Sequence, residues 1–133
     1  MKTIIIDTTK ESSFVYLVDD NSIDKTEISE RNRLSELLLE KLDVLLKAHD
    51  LKLHDLDSVG VVNIPGSYTS MRIGITTANF ISYSLCVPLF EIRKELREQD
   101  LLTLKKEKFM SPGSYLVPVY IADPVITSKS GRV

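Results

Sequence analysis

The run "SVGVVNI" (Ser58 to Ile64) has no polar face. A strand of this kind is buried on both sides and requires a layer of structure above and below its sheet. "TIIIDTT" (Thr3 to Thr9) reads the same way: β-branched, apolar, and closed by an aspartate and two threonines. Between the two runs, "SSFVYLVDDN" alternates Phe14, Tyr16 and Val18 with Val15 and Leu17 and ends in a turn signal. "DKTEISE" reads as a third, half-exposed strand. The short spacing of the first three strands predicts an antiparallel meander.

"RNRLSELLLEKLDVLLKAHDL" is the strongest helix signal. Leu34, Leu38, Leu42 and Leu45 share one face at spacings of three and four. Leu37 and Val44 flank it on one side, Leu39 and Leu46 on the other. These apolar positions cover roughly 220° of the helix, against roughly 100° for an ordinary surface helix. Two arrangements satisfy such width: deep burial in the core, or burial of the second flank against a partner. "SMRIGITTANFISYSL" is a second helix with two occupied sides. Gly74, Ala78 and Ser82 recur every four residues, a spacing that lets another helix approach closely, and Ile73, Phe80 and Ser84 stand opposite. "VPLFEI" (Val87 to Ile92) is a further strand.

The resulting order, β-β-β-α-β-α-β over residues 1–92, predicts an α/β lobe: a mixed five-stranded sheet with helices packed on it. That is the topology of the ribonuclease H-like lobe and of the N-terminal half-unit of actin-like ATPases. In that fold the aspartate ending the first strand often meets metal and phosphate, and Asp7, Thr8 and Thr9 stand there. Residues 93–114 are charged and only loosely periodic, a linker or helix, and 115–133 read as an extended tail, since Pro118 and Pro124 disfavour a central strand.

Charge and composition exclude several classes. The net charge of −2 gives no electrostatic footprint for nucleic acid. A single cysteine, Cys86, forms no intramolecular disulfide and fits a reducing cytosol. No run reaches the length of a membrane span, so the expected location is cytoplasmic.

The loop "NIPGSYTSMRIG" (Asn63 to Gly74) resembles a phosphate-binding loop at first sight. It lacks the second glycine and the lysine-hydroxyl pair of a Walker loop, and Ser67 lacks a nucleophile-elbow frame. Pro65 and Gly66 make a turn, and Ser67 or Thr69 caps the following helix. A helix N-terminus there, with Arg72 in its first turn, is also able to hold an anion. Asp7 alone does not hold a metal and a triphosphate; its simplest role is to bond the turn that follows it. His49 and His54, five apart at a helix end, are badly spaced for a metal and read as surface residues. Cys86, at a helix-strand junction in apolar company, reads as a small core residue. No catalytic residue, metal site or cofactor is expected; the competing reading is a small ribonuclease H-like or actin-like hydrolase or peptidase centred on Asp7.

These motifs together resemble the TsaB family, also called YeaZ, the non-catalytic partner in bacterial tRNA threonylcarbamoyladenosine synthesis. "IIIDTT" matches that family's "IDTS", "LSELLLEKLDVLL" its "HSERLLPLIDELL", "IPGSYTSMRIG" its "GPGSFTGLRIG", "VPLFEI" its "IPLVGV", and "PVYIADPVIT" its "PLYLRPPDVT". Ile64, Ser70 and Leu34 depart from the pattern. Family members usually carry a second lobe between the equivalents of Ile92 and Pro118, so the resemblance implies a minimal form. It also implies an adaptor that binds and activates a TsaD-like transferase modifying adenosine 37 of tRNA. A TsaE-like ATPase is a further partner, self-association uses the same helices, and tRNA is met only through the complex. On this resemblance the expected interface residues are Leu34, Leu37, Leu38, Leu42 and Leu45 on the first helix. Met71, Gly74, Ile75 and Ala78 are expected on the second.

Overall fold

The computed structural model describes residues 1–65, 68–103 and 115–117. Five strands form one sheet in the order β3-β2-β1-β4-β5: β1 Thr3–Asp7, β2 Ser13–Val18, β3 Ile23–Ile28, β4 Ser58–Val62 and β5 Leu89–Ile92. The β1–β2 and β2–β3 pairs are antiparallel; β1–β4 and β4–β5 are parallel. Two helices, α1 Leu34–Ala48 and α2 Tyr68–Leu85, make the crossovers. The expected mixed α/β sheet is therefore the one observed.

β1 and β4 are buried along their whole length, as their unbroken apolar runs require. Successive side chains go to opposite faces. Ile4 and Ile6 join Val15, Leu17, Val59, Val61 and Leu89 under the helices. Ile5 joins Tyr16 and Phe90 on the other face. The register places Tyr16, Ile5, Gly60 and Phe90 in one row across four strands. A Cβ at Gly60 would lie 2.4 Å from Phe90 Cζ, so the glycine leaves room for the ring to lean over β4. Where β1 and β4 begin, the buried hydroxyls of Thr3 and Ser58 bond each other at 2.8 Å.

The described part of the charged stretch after β5, residues 93–103, covers this second face. Leu96 and Leu101 are buried there, the latter on a short 3-10 helix, Glu98–Thr103. Lys10 Nζ donates to the Leu96 carbonyl at 2.7 Å, and Lys25 pairs with Glu98 at 3.0 Å, tying the stretch to the sheet. The expected tail lies outside the described residues except for 115–117.

Both helices end in the same backbone motif. Leu51 N–H bonds Leu46 O and Asp50 N–H bonds Lys47 O at the end of α1; Val87 N–H bonds Ser82 O and Cys86 N–H bonds Tyr83 O at the end of α2. This is the Schellman arrangement, which places one residue in the left-handed region, usually glycine. Here those residues are Asp50 (φ 56°) and Cys86 (φ 54°). Cys86 is exposed and serves as a helix terminator, which corrects its reading as a core residue.

Two outcomes follow. Gly60→Ala should cost about 1–3 kcal/mol in urea unfolding through overpacking, and less in a Phe90→Leu background; equal cost in both would show that the ring is not what excludes the methyl. Cys86→Gly should raise stability in thermal unfolding by about 1 kcal/mol, since an L-residue at positive φ carries a cost of that order, whereas Cys86→Val should lower it.

Candidate functional site

Two places were singled out by the sequence: the carboxyl end of β1 and the helix pair. At the first, Asp7 is fully buried. Its Oδ1 accepts from Thr9 N–H at 3.0 Å and from Thr9 Oγ1 at 2.6 Å, so it bonds the following turn as expected. Its Oδ2 lies 3.6 Å from Lys10 Nζ. Asp7 Oδ2 and Thr8 Oγ1 are buried without a hydrogen-bond partner among the described residues. Burial, with the carboxylates of Asp7 and Glu98 adding to it, pushes the Tyr16 phenol up to about 12, so it stays protonated at any physiological pH. Among the described residues no group of three histidine, cysteine, aspartate or glutamate side chains converges on a metal position.

Thr8 also explains a glycine. A Cβ on Gly74 would stand 2.5 Å from Thr8 Oγ1. The small side chain lets α2 sit down on the end of β1. The stripe of Gly74, Ala78 and Ser82 therefore faces the sheet, where α2 packs chiefly on β4, and not a neighbouring helix as its spacing suggested. Ser82 spends its hydroxyl on Val87 O at 2.7 Å, closing the end of α2.

The helix pair lies on one face of the sheet, α1 over β2 and β3, α2 over β4. Leu34, Leu37, Leu38, Leu42, Leu45, Met71, Ile75 and Ala78 are each at most 5% exposed, and Gly74 is buried with them. All nine residues expected at a partner interface are thus core of this chain: α1 meets the sheet with its full leucine face and α2 with its small stripe. What the helices leave outside is different. Leu39 is 44% exposed, Val44 57%, Phe80 58% and Tyr83 68%. On α1 the two flanks split, with Leu37 and Leu46 inside and Leu39 and Val44 outside.

Between the helices runs a groove of about 490 Å³ lined by Ser35, Thr69, Arg72, Ile73, Thr76 and Thr77. Leu39 stands one turn beyond Ser35 and Phe80 one turn beyond Thr76, so exposed apolar side chains continue both walls. Thr69 lies inside the first turn of α2 and faces this groove; Pro65 is exposed in the preceding turn, and Gly66 and Ser67 lie outside the described residues. His49 and His54 are apart from both places. His49 Nε2 bonds Asp24 Oδ2 at 2.8 Å, joining the end of α1 to β3 and holding the Asp24 carboxyl below its ordinary range.

Thr8→Val should be neutral or stabilise the chain by about 1 kcal/mol in chemical unfolding, because it removes a buried hydroxyl that no described group satisfies. A loss of more than about 1 kcal/mol would show that this oxygen has a partner in solution.

No helix among the described residues is long and apolar enough to cross a membrane. A model of the family described as TsaD, tRNA N6-adenosine threonylcarbamoyltransferase, matches residues 27–94, which is more than half of the chain. No curated protein matches. Among solved structures, the fold is similar to "YeaZ from Pseudomonas aeruginosa", with a TM-score of 0.63 and 21% identity over 69% of this chain and 43% of that one. It is similar to the same extent of both chains, with a TM-score of 0.62 and 21% identity, to a structure described as an uncharacterized protein with similarity to peptidase YeaZ from the same organism. This chain thus spans less than half the length of either. The helix pair, with α1, β4 and α2 all inside the matched span, places the chain in the TsaD family, and its five-stranded lobe has the fold of YeaZ.

Proposed function

We propose that the chain is a TsaB-like accessory subunit in threonylcarbamoyl modification of adenosine 37 in tRNA, an adaptor that binds and activates a TsaD-like transferase and leaves the chemistry to it. The observation that carries this reading is the outer face of the helix pair. Leu39, Phe80 and Tyr83 expose apolar surface beside a groove rimmed by hydroxyls and Arg72. An apolar centre with a polar rim is the anatomy of a protein interface. The location of this face within the span matched by the family model supports a partner from that family. The net charge of −2 supports a chain that meets tRNA only through its complex. The same face offers a surface to a second copy, so self-association and the heterodimer compete. A TsaE-like ATPase would join the assembled pair in the cytoplasm.

A second reading, a small hydrolase centred on Asp7, is favoured by one observation: Asp7 Oδ2 and Thr8 Oγ1 are buried and make no hydrogen bond among the described residues.

Light scattering on size-exclusion fractions tests the first reading, with this chain alone and mixed with the TsaD-like transferase of its own organism. A 1:1 complex at micromolar concentration is expected. Leu39→Arg and Phe80→Arg should each weaken it at least about 30-fold, the effect of losing an interface hot spot worth about 2 kcal/mol. Leu38→Ala, by contrast, should cost about 2–5 kcal/mol of folding stability, because that side chain is core. Absence of a complex, or wild-type affinity in both arginine variants, overturns the adaptor reading. Mg²⁺ or Zn²⁺ binding that Asp7→Asn abolishes would then support the hydrolase.

A further inference from the structure

Residues 115–117 lie 37 and 54 positions from the side chains that hold them. Asn79, on α2, grips Leu116 on both sides of its backbone: its Nδ2 donates to Leu116 O at 3.0 Å, and its Oδ1 accepts from Leu116 N–H at 2.8 Å. Asn63, just after β4, donates from Nδ2 to Val117 O at 2.9 Å and to Glu91 Oε2 at 2.8 Å. Glu91 thus takes one of the two amide hydrogens and orients the other toward the segment. All three bonds to the segment end on main-chain atoms. Its one inward side chain, Leu116, packs against the core under the helices, while Tyr115 and Val117 point to solvent.

This is how a strand is received at a sheet edge, with side-chain amides standing in for a neighbouring backbone. An asparagine carries both a donor and an acceptor and reproduces the pairing of a peptide group. Asn79 sits between Ala78, which faces the core, and Phe80, which is exposed, and so occupies a flank of α2. Ile73 and Thr77, on the other flank, face the groove shared with α1.

We propose that Asn63 and Asn79 form a backbone-reading slot for this chain's own segment 115–117, which acts as a releasable strap along α2. α2 is then braced on one flank by α1 and on the other by the strap. The slot reads one apolar side chain and main-chain groups of two residues, so it tolerates any residue at positions 115 and 117 that keeps these three bonds. Release exposes the apolar surface beneath Leu116 and frees that flank of α2. The inference rests on the fold and is independent of the adaptor reading.

Amide hydrogen exchange by NMR on the full chain tests it, in the wild type and in Asn79→Leu and Leu116→Asp. In the wild type the amide of Leu116 should exchange at least about tenfold more slowly than in an unstructured peptide, yet faster than the amides of β1 and β4, the signature of a segment that opens locally. Both variants should bring position 116 to the unstructured rate and leave β1 and β4 protected. A free Leu116 amide in the wild type, or unchanged protection in either variant, overturns the slot. Loss of β1 and β4 protection in Leu116→Asp overturns the strap, because the segment would then belong to the cooperative core.

Discussion

Everything in this lobe is arranged around β1. It is a central strand buried along its whole length, bonded antiparallel to β2 and parallel to β4. Its alternate side chains feed two separate cores, Ile4 and Ile6 beneath the helices and Ile5 on the opposite face. Such a strand is stable only when both faces are covered. α1 and α2 cover one. The other, with Tyr16, Ile5 and Phe90, is closed by Leu96 and Leu101 from the charged stretch that follows β5. Residues 93–103 are therefore structural, a short cover with most of their charged side chains on the outside.

The same constraint fixes the two places that look functional. β1 ends in Asp7 because a carboxylate can satisfy the exposed start of a turn, which it does through Thr9. α2 reaches that end only because Gly74 has no side chain to strike Thr8. Setting α2 so low on the sheet turns its small stripe inward and leaves Phe80 and Tyr83 outside. The apolar surface left exposed on α2 is a consequence of how closely the helix must approach β1.

Much of this was legible in the residues. The five strands and two helices stand where the apolar periods put them, because the unbroken runs at Thr3 and Ser58 and the leucine repeat of α1 each admit one reading. The turn-bonding role of Asp7 was legible too, since it depends on neighbours in sequence. Which flank of α1 lies outside was not. Leu37, Leu39, Val44 and Leu46 are equally apolar, and only the positions of β3 and α2 decide among them. The small stripe of α2 misled for the same reason: close approach was correctly implied, but the sequence does not say whether the approaching element is a helix or a strand end. Cys86 failed because an L-residue at positive φ is chosen by the backbone bonds around it. The slot at Asn63 and Asn79 gave no local signal, as its pairing spans tens of residues.

The family match and the fold agree on one five-stranded lobe, and the chain spans 43% of the YeaZ chain it resembles. The proposed function places the activity on the exposed ridge of the helix pair and leaves the end of β1 a structural role. The most direct measurement is a hydrogen-exchange footprint of this chain alone and saturated with the TsaD-like transferase of its organism. The account predicts new protection confined to segments containing Leu39, Phe80 and Tyr83, with residues 7–10 unchanged. Protection centred on residues 7–10, or none on either helix, would contradict it.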